Sequence, residues 1–239
     1  MEKYLLVSEG PTDYLVIKAV ADRLSVDLDK KISIALLEPQ KDATSDSYNG
    51  HGWGAVKNWC RKYGRKDRAG MSHLELPMQN YLLRQNWQAL LAIHDAKGLI
   101  VQIDCDIAHF IKDRGEMIKT KKEHCTDALL FWLNEPAQTD QLFLAVSAQA
   151  IETWLLATTP PSDKVFHDLP QGFDYELIED YESRLLALGH TPTIKKNGVR
   201  RLKKTPYTCY AKHAERISQN LPDVRARCVS ANELCEFLS

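Results

Sequence analysis

The chain has 239 residues, 44% of them hydrophobic and 26% charged, which suits a soluble protein of one elaborated domain or two small ones. Its formal net charge of -1 excludes a uniformly basic protein but conceals a basic stretch: Lys195, Lys196, Arg200, Arg201, Lys203, Lys204, Lys212 and Arg216 stand against the single acid Glu215. The six cysteines include no Cys-x-x-Cys pair, the start of the chain carries no signal-peptide pattern, and no apolar run approaches the roughly 18 residues that span a bilayer; a cytoplasmic protein with reduced thiols and no membrane association is expected.

In chain order, residues 3 to 8 read as a buried strand, followed by a helix that Thr12 caps and that carries Leu15, Val16, Ala19, Val20 and Leu24 on its apolar face. Residues 32 to 37 read as a second strand. A polar, glycine-bearing loop follows, in which His51 and Trp53 suggest either a lid or a plain turn before a helix from about Ala55 to Tyr63. This β-α-β opening favours an α/β fold with parallel strands. Residues 74 to 94 have helical spacing interrupted by Pro77 and read as one helix or two pieces, residues 98 to 104 (GLIVQID) as a strand, and residues 123 to 134 as a helix. Another strand spans 142 to 147, with Ser147 as the cap of a following helix, and helices are expected near 175 to 188, 207 to 220 and 231 to 238. Pro160-Pro161 suggests a boundary. The division expected is a core over 1–159 with a helical insertion at about 54–95, and a helical part over 160–239 with a basic loop at 195–204.

Acids follow three of these strands: Glu9 (with Asp13 four residues on), Asp104 with Asp106, and Glu152. In an open parallel sheet the C-terminal strand ends share one edge, where ligands bind, so acids far apart in sequence converge there. Ionised together they repel, and a divalent cation is the natural counter-charge; oxygen-only ligands favour Mg²⁺ or Mn²⁺ over zinc. Strand alternation would point Asp104 and Asp106 the same way. Taken singly, each acid also reads as a solvated loop residue or a helix-terminus acid, and Asp-x-Asp after a strand also suits a phosphatase with Asp104 as nucleophile.

The pattern of a hydrophobic strand, Glu9-Gly10-Pro11-Thr12-Asp13, a helix and a later strand closing in Asp104-Cys105-Asp106 resembles the Toprim domain, in the form found in overcoming-lysogenization-defect (OLD) nucleases. Gly52-Trp53-Gly54-Ala55-Val56, Ile151-Glu152-Thr153-Trp154-Leu155-Leu156-Ala157 and Lys203-Lys204-Thr205-Pro206-Tyr207 are similar to small stand-alone Toprim-like proteins of bacterial defence loci. The resemblance covers most of residues 3 to 157 and returns at about 200 to 238. It implies a Rossmann-like, mainly parallel sheet and metal-dependent phosphodiester hydrolysis of DNA or RNA. Glu9 would be metal ligand or general base, Asp13, Asp104, Asp106 and Glu152 further ligands of Mg²⁺ or Mn²⁺, and Lys204, with Lys203 as substitute, the lysine that neutralises charge on the phosphate. The basic stretch, with Lys195, Lys196, Arg200, Arg201 and Lys203, would hold backbone phosphates; Tyr207 and Tyr210 would stack on bases, against the favoured reading of each as an ordinary packing residue of its helix. The chain departs from the pattern at Ser8, where an apolar residue is usual, and it lacks the GxxxxGKS/T loop of an ATPase. A separate ATPase partner, an anti-phage setting and a homo-oligomer are therefore expectations, and a non-catalytic nucleic-acid-binding or sensor subunit of an ATPase complex is the alternative.

Overall fold

A computed structural model describes residues 1–41, 48–194, 198–205 and 207–239. In chain order its elements are β1 (Glu2–Val7), α1 (Pro11–Asp27), β2 (Ile32–Glu38), β3 (Gln40–Lys41), β4 (Tyr48–Asn49), α2 (Trp53–Tyr63), α3 (Leu76–Arg84), α4 (Trp87–His94), β5 (Gly98–Asp104), α5 (Lys121–Leu133), β6 (Leu142–Ser147), α6 (Glu152–Leu156), α7 (Tyr181–Ala187), β7 (Pro192–Ile194), β8 (Arg200–Leu202), α8 (Tyr207–Gln219), α9 (Leu221–Arg227) and α10 (Val229–Leu238).

The centre is a four-stranded, wholly parallel sheet in the order β2-β1-β5-β6. Both of its faces are covered, so its middle strands carry continuous apolar runs, YLLV in β1 and GLIV in β5, rather than alternating with polar residues. Tyr4 and Leu6 of β1 and Ile100 of β5 pack with α1, α6, α8, α9 and α10 on one face, while Leu5, Val7, Leu99, Val101 and Ile103 pack with α2, α4 and α5 on the other. The expected α/β architecture of a parallel sheet flanked by helices is therefore present, and the C-terminal helices complete one of its layers. Among the described residues, no helix is long and apolar enough to cross a membrane.

Several local expectations are corrected. Gly10, not Thr12, is the N-cap of α1; Pro11 takes the first turn, where its missing N–H costs nothing, and Thr12 is buried inside the helix. Ser147 is the last residue of β6 and caps nothing; the helix begins only at Glu152. The stretch 74–94, by contrast, divides into two pieces as its sequence suggested, α3 with Pro77 in its first turn and α4 capped by Asn86 through the Ala89 N–H at 2.7 Å. Leu221-Pro222 starts an additional helix, α9. The basic loop is built on an antiparallel hairpin in which Thr193 pairs with Arg201 and Ile194 with Arg200. Trp53 opens α2 and lies against Trp132, with ring centroids 6.3 Å apart, which makes it a packing residue; His51 is exposed.

Candidate active site

The site begins with the ends of β1 and β5. The two strands run side by side, pairing Val7 with Val101, so the residues that follow leave the sheet at the same edge. Glu9 turns back toward β5, and its Oε1 accepts the backbone N–H of Asp104 at 3.0 Å. The Glu9 N–H is in turn donated to Oε1 of Gln102 at 3.1 Å, and Gln102 Nε2 donates to Oδ1 of Asp104 at 3.0 Å. Gln102 is fully buried. A single carboxamide thus links the two acid-bearing strand ends, its acceptor and donor both used as chemistry requires. The Ile151 N–H adds a second bond to Asp104 Oδ1 at 3.2 Å, bringing the segment before α6 to the same place.

From the other side, α1 contributes Asp13, which is 4% exposed and whose charged form is favoured by the neighbouring Gly10 N–H and Thr12 hydroxyl. Ser8 is buried and donates to the Gly10 carbonyl at 3.0 Å, so this polar departure from an apolar position has a partner. The Gly52 N–H donates to the Glu9 carbonyl at 2.5 Å, in a left-handed conformation (φ +93°) that favours glycine, and ties the start of α2 to the acid loop.

Glu152, at the first position of α6, is the most deeply withdrawn of the acids at 1% exposure. Its Oε1 takes two donors, the Tyr210 hydroxyl at 2.8 Å and the Lys204 ammonium. Its Oε2 is buried and has no partner among the described residues. Lys204 follows β8, and the hairpin delivers it inward although the side chain keeps part of its stem exposed. Lys203 stays outside this contact and is fixed by its backbone N–H to the Thr191 carbonyl at 2.9 Å.

The electrostatics follow from burial and crowding. Loss of water and the nearby charges of Asp13 and Asp106 raise the Glu9 carboxyl to about 8. Burial, then the charge of Glu152, raises Asp13 to about 7. Asp104 is pushed well up by burial and by Asp13, Glu9 and Glu152, and Asp106 upward by burial and Glu152. Glu152 goes the other way: although burial opposes it, the charge and hydrogen bond of Lys204 hold it ionised, with Tyr210 assisting. Lys204 is raised by Glu152, Asp13 and Asp104 against its own desolvation. Five acids thus lie within electrostatic reach of one ammonium, and for four of them burial, with mutual repulsion second, outweighs what that ammonium relieves.

The sequence-predicted acids are therefore brought within electrostatic reach of one another, with Lys204 among them. One detail differs from expectation. Asp106 does not continue the strand alternation: it lies in a 3₁₀ turn, Cys105–Phe110, and is exposed, because the chain leaves β5 at Asp104. Tyr210 is buried against Glu152, in keeping with the favoured reading of it as a packing residue, and cannot stack on a base. Arg200 and Arg201 are exposed on the hairpin, Arg201 paired with Glu182 at 2.8 Å. Lys195, Lys196 and the Tyr207 side chain lie outside the described residues. Gln102 was not anticipated; its signal was a lone amide inside GLIVQID, two residues before Asp104 and thus on the same strand face.

Among the described residues, no three His, Cys, Asp or Glu side chains are gathered into a ready cation cage. The chemistry of the donors nevertheless fits a hard divalent cation. All are carboxylates, four of the five have raised pKa values that a positive charge would relieve, and Oε2 of Glu152 is a buried acceptor awaiting a partner. Comparison with protein-family models, with curated proteins and with solved structures finds no match to this chain.

Proposed function

We propose that this chain is a divalent-metal-dependent nuclease of Toprim type that hydrolyses phosphodiester bonds. The observation that carries the reading is the meeting of Glu9, Asp13, Asp104, Asp106 and Glu152 around Lys204 at the C-terminal edge of a parallel sheet.

Glu9, Asp13, Asp104, Asp106 and Glu152 would hold Mg²⁺ or Mn²⁺, which when bound supplies Lewis-acid stabilisation of a crowded phosphate. Hydrolysis forms a bond from the water oxygen to phosphorus and breaks one bridging P–O bond. Glu9, as a metal ligand or as the general base, would take up the proton that the water loses, and the departing oxygen leaves with the electron pair of the broken bond. Lys204 offsets the charge that develops on the phosphate, and Arg200 and Arg201 hold neighbouring phosphates with a strong salt dependence. Gln102 keeps Glu9 and Asp104 in register without touching substrate.

The alternative, a nucleic-acid-binding or sensor subunit of an ATPase complex, draws on one feature: Lys204 already neutralises Glu152, a resting arrangement that needs no reaction. The ATPase partner and the defence setting rest on the sequence resemblance. Purified protein incubated with Mn²⁺ and plasmid, single-stranded DNA and transfer RNA separates the two readings. Cutting that Glu9→Gln abolishes supports the nuclease; binding without cutting under all conditions supports the sensor.

A further inference from the structure

Beside the acid edge lies a cavity of about 320 Å³ lined by Asp106, Gln149, Tyr181, Arg200 and Arg201 among others. Asp106 is the exposed member of the acid set, and its N–H is anchored on the Gln149 carbonyl at 3.2 Å. The other carboxylates of the wall are matched by cations: Asp180 with Arg184 at 2.8 Å, Glu182 with Arg201 at 2.8 Å and Glu179 with Lys121 at 3.6 Å. Arg200 is exposed and makes no ion pair among the described residues. Tyr181, at the start of α7, is half-buried and lines the cavity while its hydroxyl feels the charges of Glu152 and Asp104; burial and those charges keep it protonated. Tyr181 therefore borders both the open space and the acid cluster.

The size of that space selects among substrates. Cavities for small ligands begin at roughly 300 Å³, so this one admits a single nucleotide-sized group. A duplex keeps its bases stacked inside and would present only its outer backbone, leaving the Tyr181 wall unused. An unpaired nucleotide has a free base face for the ring and a phosphate for Arg200, the combination used by single-strand binders. Resting on the nuclease reading above, we propose that the substrate enters as an unpaired strand, one nucleotide filling this cavity with its base against Tyr181 and its phosphate beside Arg200. The chemistry is shared by single-stranded DNA, single-stranded RNA and the looped regions of folded RNA.

The test is fluorescence anisotropy with a labelled single-stranded DNA, the same sequence as RNA, and the blunt DNA duplex, in Ca²⁺ at one fixed salt concentration. The expected result is that one of the single strands binds about tenfold tighter than the duplex, that Tyr181→Ala removes about tenfold of that affinity, and that Tyr181→Phe keeps it, because the ring face and not the hydroxyl is used. The DNA and RNA arms identify the source of the strand. Duplex binding as tight as either single strand, or an unchanged single-strand affinity in Tyr181→Ala, overturns the proposal. Mn²⁺-dependent cutting of duplex plasmid, assayed separately with Glu9→Gln as control, distinguishes the failures. If duplex is cut and preferred, the nuclease reading stands and the unpaired-strand inference falls; if nothing is bound or cut, both fall.

Discussion

The backbone N–H of Asp104 donates to Oε1 of Glu9 at 3.0 Å, joining the ends of two adjacent parallel strands through a side chain of one and the main chain of the other. The bond leaves Glu9 committed at one oxygen, and the buried Gln102 carboxamide closes the arrangement from behind. The site is thus built on rigid strand ends, the placement that holds a reacting group most accurately.

Gln102→Leu removes both links of that carboxamide and leaves the Glu9 N–H without its partner. The expected cost is about 1–3 kcal/mol of stability, read as a lower urea midpoint. The cutting rate should fall by about 10–100-fold, as for other groups that orient ligands without touching substrate. An unchanged rate in a stably folded variant would show that Gln102 positions nothing.

The acid cluster makes stability depend on pH with a defined sign. Glu9 and Asp13 titrate at about 8 and about 7 in the fold, against 4.5 and 3.8 when unperturbed, so between those limits the folded state binds more protons than the unfolded state. Stability therefore declines as pH rises from the ordinary carboxylate range through about 8. Thermal unfolding in EDTA should show that decline, Asp13→Asn should flatten it, and Mn²⁺ should raise Tm more at pH 8 than at pH 5. A flat profile in EDTA counts against the buried, crowded carboxylates.

Lys204→Met strips Glu152 of its cation while leaving the carboxylate buried. Because Lys204 is itself part exposed, the expected loss is near the lower end for a broken buried pair, about 3 kcal/mol. Mn²⁺ should restore more stability to this variant than to the parent, since the freed carboxylate can accept the ion instead. Tyr210→Phe removes the other donor to Oε1 and should cost about 1.5–3 kcal/mol, as for a hydrogen bond to a charged group. Differential scanning calorimetry with and without Mn²⁺ measures all three effects.

Away from the site, Glu176 fastens the C-terminal helices to the sheet layer. Its carboxylate accepts the Ser230 N–H at 3.1 Å, the Ser230 hydroxyl and the Trp154 indole N–H at 3.3 Å, all buried. Glu176→Ala takes the acceptor from the Ser230 N–H and hydroxyl in the interior, while the Trp154 indole keeps Ser230 Oγ at 3.1 Å; the variant should be destabilised by about 1–3 kcal/mol, visible as a lower Tm. Nucleic-acid binding should be kept at temperatures where the variant is folded.

The runs YLLV, ISIALL, GLIVQI and LFLAV were enough to locate all four central strands, because strands covered on both faces need largely hydrophobic sequence. The acids at their ends could be placed on one edge for the same reason: parallel crossovers return every strand in the same direction. Where an element starts was less legible. Thr12 and Ser147 are good caps by composition, yet Pro11 begins α1 earlier and Ser147 completes the pairing of β6 with Asp104. Only the tertiary structure decided that Gln102 bridges Glu9 and Asp104, that Lys204 and Tyr210 share one oxygen of Glu152, and that Tyr181 faces the space beside Asp106. These relationships join residues from separate crossovers, and the packing of α7 and α8 and the hairpin against the sheet edge fixes them; no periodicity along the chain encodes such distances.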